Sequence, residues 1–154
     1  MEAWGILSVA DPLTGETPVC RSEAMETVFF HAGELLAQAQ EAYQRVHARC
    51  ERVCVAAYGN GGAVAAAIAA QLPVELLALR RSNLFGRRTG ARTVDRLNAF
   101  ARRNLSLVTA EILLIDPPPA EEAGFVRGAG MHTRKITCDF SGNVYNTICD
   151  IITR

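Results

Sequence analysis

The sequence predicts an α/β domain in which a five-stranded, mainly parallel sheet is flanked by helices, and three observations carry that expectation. Short apolar runs alternate along the chain with segments of helical periodicity. One run, Arg52 to Tyr58, is continuously apolar rather than alternating, as strands buried on both faces of a parallel sheet are. It leads through Gly59-Asn60-Gly61-Gly62 straight into an Ala-rich segment, the pattern of strand, tight turn and helix.

Taken in order, Trp4 to Val9 is a short apolar strand closed by Asp11-Pro12 and Gly15, residues that favour turns. From Met25 to Val46 the apolar residues Met25, Val28, Phe29, Ala32, Leu35, Leu36, Ala39, Ala42, Tyr43 and Val46 keep the i, i+3, i+4, i+7 spacing of one long amphipathic helix, with Ser22 as its cap. Arg52 to Tyr58 is the second strand, and Ala63 to Leu72 is a helix stopped by Pro73. Val74 to Leu79 makes a third strand, Thr93 to Arg103 a helix with Val94, Leu97 and Ala101 inward, and Ala110 to Ile115 a fourth strand cut off by Pro117-Pro118-Pro119. After a Gly-rich stretch containing Gly124, Gly128 and Gly130, Lys135 to Phe140 reads as the fifth strand and Asn143 to Ile152 as a closing helix. Alternation of this kind implies right-handed crossovers and a parallel sheet.

The chain of 154 residues is the size of one domain, 1–154, and its 49% apolar and 21% charged residues belong to a folding globular protein. Sixteen basic and sixteen acidic residues cancel, so the chain as a whole has no electrostatic bias toward nucleic acid or anionic lipid. No run approaches the roughly 18 to 20 apolar residues of a membrane span, and Met1-Glu2-Ala3-Trp4 does not begin a signal peptide. Five cysteines at irregular spacing make a poor disulfide framework and fit a reducing, cytoplasmic compartment. A membrane partner is not expected, and nucleic acid is disfavoured.

In an open α/β sheet, ligands bind outside the carboxyl ends of the strands, which directs attention to Gly59-Asn60-Gly61-Gly62. A dinucleotide fingerprint is not met there: Val64 stands where the last glycine or alanine is needed, and the next strand ends in Leu79-Arg80 without an acid. The turn together with Ile68-Ala69-Ala70-Gln71-Leu72 resembles phosphoheptose isomerases, with Ser141-Gly142-Asn143 similar to their phosphate loop. That resemblance implies sugar-phosphate binding or isomerisation, although Ala63 stands where the family has a serine.

A broader resemblance runs through most of the chain. Tyr58-Gly59-Asn60-Gly61-Gly62-Ala63 with Ala69-Ala70-Gln71-Leu72-Pro73-Val74 resembles the nucleophile strand, elbow and following helix of the α/β-hydrolase superfamily. Phe100-Ala101-Arg102-Arg103-Asn104-Leu105 and Glu111-Ile112-Leu113-Leu114-Ile115-Asp116 resemble the approach to its acid-bearing strand, and Phe140-Ser141-Gly142-Asn143 its histidine loop. The resemblance implies a reduced, three-layer version of that fold. The elbow motif is Gly-x-Ser-x-Gly, and matching its downstream glycine places Gly59 at the serine and Ala57 at the first glycine. The histidine position falls on Asn143, whose amide cannot relay a proton as imidazole does. Asp116, near the place of the triad acid, then has no imidazole to orient.

The expectation is therefore a pseudoenzyme: no catalytic residue, no cofactor, and a vestigial pocket for an unidentified small molecule formed by Tyr58, Gly59, Asn60, Gly61, Ser82, Asp116 and Asn143. The enzyme alternatives are a small-ester or acyl hydrolase with displaced machinery, for which His132 is the candidate base, and the sugar-phosphate reading of the glycine turn. His31 and His47 read as ordinary helix histidines. His47-x-x-Cys50-x-x-x-Cys54 has metal-like spacing without a fourth ligand, and the cysteines read as core, so no metal site is expected. One basic stretch stands out, in which Arg80, Arg81, Arg87, Arg88, Arg92, Arg96, Arg102 and Arg103 are offset only by Asp95. The stretch could bind phosphate or nucleic acid, but aromatics are sparse there and the overall charge is neutral, so a solvated face with ion pairs to Glu121, Glu122 or a second subunit is the favoured reading. A homodimer that covers an open sheet edge is also expected.

Overall fold

The computed structural model describes residues 2–10, 25–29, 35–86, 90, 92–129 and 133–136. Six strands, β1 (Glu2–Ala10), β2 (Met25–Phe29), β3 (Cys50–Tyr58), β4 (Leu76–Arg80), β5 (Glu111–Ile115) and β6 (Thr133–Ile136), form one sheet in the order β2-β1-β3-β4-β5-β6. Every pairing is parallel. Four helices accompany it: α1 (Leu35–His47), α2 (Gly61–Gln71), α3 (Arg92–Asn104) and α4 (Pro119–Ala129). The α/β class and the parallel sheet are as the sequence implies. Its five expected strands are all present, the fifth through its first residues, since 137–140 and the closing helix at 143–152 lie outside the described residues.

Alternate residues of each strand point to opposite faces, and both faces are buried. Leu7, Val9, Val53, Val55, Ala57, Leu77, Leu79, Ile112 and Leu114 pack against the four helices. Ile6, Cys54, Ala56, Leu76, Ala78, Leu113 and Ile115 form a second cluster, with Trp4 and Ile136 at its margin. This double burial is why the strands read as continuous apolar runs. Helix α2 is apolar all round, and nine of its eleven residues are buried. Its small side chains let it settle close against the sheet. No helix among the described residues is long and apolar enough to cross a membrane.

Two elements correct the sequence reading. The long helix expected from Met25 is instead β2 followed by α1, with β2 in register on β1 from Ile6↔Met25 to Ala10↔Phe29. Thr27, Val28 and Phe29 are strong strand formers, and a row of sheet hydrogen bonds outweighs a spacing that fits either structure. The remaining stripe, Ala39, Ala42, Tyr43 and Val46, is the buried face of α1. Helix α4 stands where the sequence suggests a proline turn and a Gly-rich connection. Pro119 stands at its first position, where a missing N–H costs nothing, and Glu121 and Glu122 follow in its first turn beside the positive helix end. Gly124 and Gly128 keep its inner face flat where Phe85 and Leu105 press on it.

Candidate functional site

From β1 the chain moves to β2 on one side of the sheet, whereas from β3 it moves to β4 on the other, so the strand order reverses between β1 and β3. The crevice outside the carboxyl ends of these two strands is where such a sheet takes a ligand. The turn after β3 lies there. Gly59 has φ +60°, a left-handed conformation that suits glycine. Its amide donates to the Arg80 carbonyl at 3.0 Å, and its carbonyl accepts from Gly62 at 3.1 Å. Gly61 is fixed by contact, since a Cβ there would lie 2.7 Å from the Val9 carbonyl oxygen. Asn60, at the N-cap of α2, makes no side-chain capping bond and is half-buried.

The next strand ends supply the charge. Arg80 is 7% exposed, with its Nε 4.0 Å from Asp116 Oδ2 and its guanidinium 5.6 Å from the centre of the Tyr58 ring. The pair follows from the register, which sets Arg80 beside Ile115 and so beside the residue after it. Arg81 reaches back to donate to the Tyr58 hydroxyl at 3.5 Å. Arg81 and Asp116 both have positive φ, 51° and 48°, so two strand ends are held in a conformation that non-glycine residues avoid. The carboxylate expected at the triad acid thus faces a guanidinium.

Ser82 is placed differently. It is buried and donates to Glu121 Oε2 at 3.0 Å, while the Phe85 amide donates to Glu121 Oε1 at 2.6 Å. Burial pushes the Glu121 carboxyl above its ordinary range, and the Phe85 amide, the Ser82 hydroxyl and the Arg102 charge pull against that shift. Glu121 therefore ties the loop after β4 to the start of α4. It is the buried acid that sequence reasoning passed over as a surface ion-pair partner. Glu122 does pair at the surface, with Lys135 Nζ at 3.2 Å.

Of the seven expected ligand residues, Tyr58, Gly59, Asn60 and Gly61 form the turn, Asp116 stands at the same edge through Arg80, Ser82 lies beneath it, and Asn143 is outside the described residues. His31 and His132 are also outside them. His47 is exposed, stacks on Tyr43 with 5.5 Å between ring centres, and sits near the start of β3, a strand's length from the turn. Cys50 and Cys54 are buried free thiols, and desolvation pushes Cys54 up to about 12. Among the described residues no three His, Cys, Asp or Glu side chains converge on a point that could hold a metal ion.

No family model matches the sequence, and no curated protein does. Solved structures do match. A structure from LipS and LipT, two metagenome-derived lipolytic enzymes, superposes with a TM-score of 0.71 at 12% identity, over 99% of this chain and 92% of that one. Est1E from Butyrivibrio proteoclasticus superposes with 0.53 at 11% identity, covering 99% and 85%. Acylaminoacyl peptidase of Pyrococcus horikoshii superposes with 0.59 at 10% identity, and there this chain spans 37% of the longer protein. At such identities the likeness is one of fold, and the fold is that of the α/β-hydrolases.

Proposed function

Starting from an α/β-hydrolase fold with glycine at its elbow, we propose that this protein is a non-catalytic member of that architecture which binds a small molecule at the carboxyl edge of its sheet. The observation that supports this reading is Gly59. In this fold the nucleophile stands on the sharp, strained turn between strand and helix, and the residue at that turn here is Gly59, at φ +60° and with no side chain. Covalent catalysis needs a nucleophilic side chain at that point, and glycine has none. Tyr58, Asn60 and Asp116 offer the ligand hydrogen-bonding groups, and Ser82 supports the edge from beneath through Glu121. A fluorophosphonate probe tests the reading: no serine is expected to be labelled, and labelling of any serine overturns it.

The likeness to lipolytic enzymes and a peptidase favours a second reading, a small-ester or acyl hydrolase with its nucleophile elsewhere. Labelling, followed by identification of the modified serine, is its signature. The sugar-phosphate reading is weaker, because Gly61 and Gly62 are buried and the Gly62 amide is committed to the Gly59 carbonyl. Self-association belongs to the same proposal. Edge strand β6 carries Arg134 and Lys135, paired with Glu111 and Glu122, and such charges discourage strand addition. Among the described strands, that leaves β2 as the edge for a second copy. A dimer is expected in light scattering, and a monomer at every concentration refutes it.

A further inference from the structure

A second place on the molecule has the chemistry of a binding site, and it is independent of the elbow. Between the loop after β4 and helix α3 lies a cleft of about 620 Å³, within the usual range for small-molecule pockets, lined by Phe85, Arg92, Asp95, Arg96, Asn98 and Arg102 among others. Arg92 and Arg96 are one helical turn apart and share a face of α3. Neither makes an ion pair among the described residues, and both are exposed. Arg102 is anchored at the far end by donating from Nη1 to the Leu84 carbonyl. Among the described lining residues, three guanidiniums stand against the one carboxylate of Asp95.

Asn98 lines the same cleft and is only 4% exposed. Its side-chain amide can both donate and accept, so it adds a neutral hydrogen-bonding group to the wall beside the guanidiniums. A phosphate monoester fits: it carries close to two negative charges near neutral pH, its oxygens accept from guanidinium forks and from an amide, and its organic body can rest on Phe85. Of the three arginines, Arg102 acts electrostatically on Glu121, whereas Arg92 and Arg96 have no ion pair with Glu121 or with Glu122, which pairs with Lys135.

We propose that the cleft between Phe85 and α3 is a binding site for the phosphate group of a small phosphomonoester, held by Arg92, Arg96, Arg102 and Asn98. The test is an NMR titration of the full-length chain with glucose 6-phosphate, alongside glucose, inorganic phosphate and a short single-stranded oligonucleotide. Glucose 6-phosphate should shift the Asn98 side-chain amide saturably, inorganic phosphate should shift the same signal, and glucose should leave it in place. The double variant Arg92→Gln, Arg96→Gln alters two exposed side chains and should melt like the native chain while binding about tenfold or more weakly. Arg127→Gln, on exposed α4 surface, should bind as the native chain does. No saturable shift at millimolar glucose 6-phosphate, undiminished binding by the double variant, or binding of the oligonucleotide alone each overturns the proposal.

Discussion

Glu121 offers a perturbation whose size and pH dependence both follow from its surroundings. In Glu121→Ala the Ser82 hydroxyl and the Phe85 amide lose their acceptor together. Ser82 is 4% exposed, so water does not replace the lost partner freely. A buried polar group left unsatisfied costs about 1 to 3 kcal/mol, and the Phe85 amide, being only part-buried, counts at the low end. The expected loss is about 2 to 4 kcal/mol. Glu121→Gln is different, because the amide oxygen still accepts from Phe85 and its NH2 group donates to the Ser82 oxygen. At neutral pH this variant should lie within about 1 kcal/mol of the native chain.

The two carboxyl states separate the cases further. The folded protein holds the Glu121 proton more tightly than the unfolded chain, whose ordinary value is 4.5. Stability from this group is therefore fully present below that value, and it is lost as pH rises through the window up to the raised folded value. Glutamine has no such loss. Urea unfolding of both proteins at about pH 4 and about pH 7 should show the stability difference moving in favour of Glu121→Gln at the higher pH. The reasoning fails if Glu121→Ala is as stable as the native chain, or if the difference between Gln and Glu moves the other way with pH.

Other expectations are as direct. Gly61→Ala should destabilise by about 1 to 3 kcal/mol despite alanine's better helix propensity, because its Cβ meets backbone that β2 and β3 hold from either side; thermal unfolding reads it. Tyr43→Phe removes the 2.5 Å bond from the hydroxyl to the Pro73 carbonyl and should cost about 1 kcal/mol in urea unfolding. Cys54, fully buried and held as a thiol, should resist maleimide in the native state and react once denaturant is added, as mass spectrometry will show. Gly59→Ser places a side chain at φ +60°, so it should lose about 1 to 2 kcal/mol and gain no esterase activity in a chromogenic ester assay.

The parts of the fold legible in the sequence are those where one physical signal dominates. Runs such as Arg52 to Tyr58 and Ala110 to Ile115 announce strands because both faces are buried, and the glycines after Tyr58 announce the turn. Met25 to Phe29 was illegible because its spacing fits a helix and only the β1 pairing decides against one. Helix α4 was hidden because prolines at a helix start look the same as prolines that end a strand. The site shows the same division. The turn residues are contiguous and could be named in advance. The Ser82 to Glu121 bond spans 39 residues, and the pairing of Arg80 with Asp116 exists only because β4 and β5 are neighbours in one register. No local pattern encodes either contact.

The elbow is held by its neighbours rather than by the residue at its tip. Gly59 is bonded to the end of β4 and to the start of α2, and Gly61 is wedged against the end of β1. Three elements thus define the turn, and none of these bonds uses a side chain at position 59. The scaffold can therefore keep the turn's shape whatever residue stands at its tip, provided that residue tolerates a positive φ. Its charges are arranged to the same effect: Arg80 lies against Asp116 and the Tyr58 ring, while Arg92 and Arg96 stand toward solvent without ion pairs among the described residues. The chain as a whole has zero net charge, so any attraction for an anion is local, and the exposed Arg92 and Arg96 place positive charge at the cleft beside α3. The proposed phosphate site would then lie one loop away from the Gly59 turn.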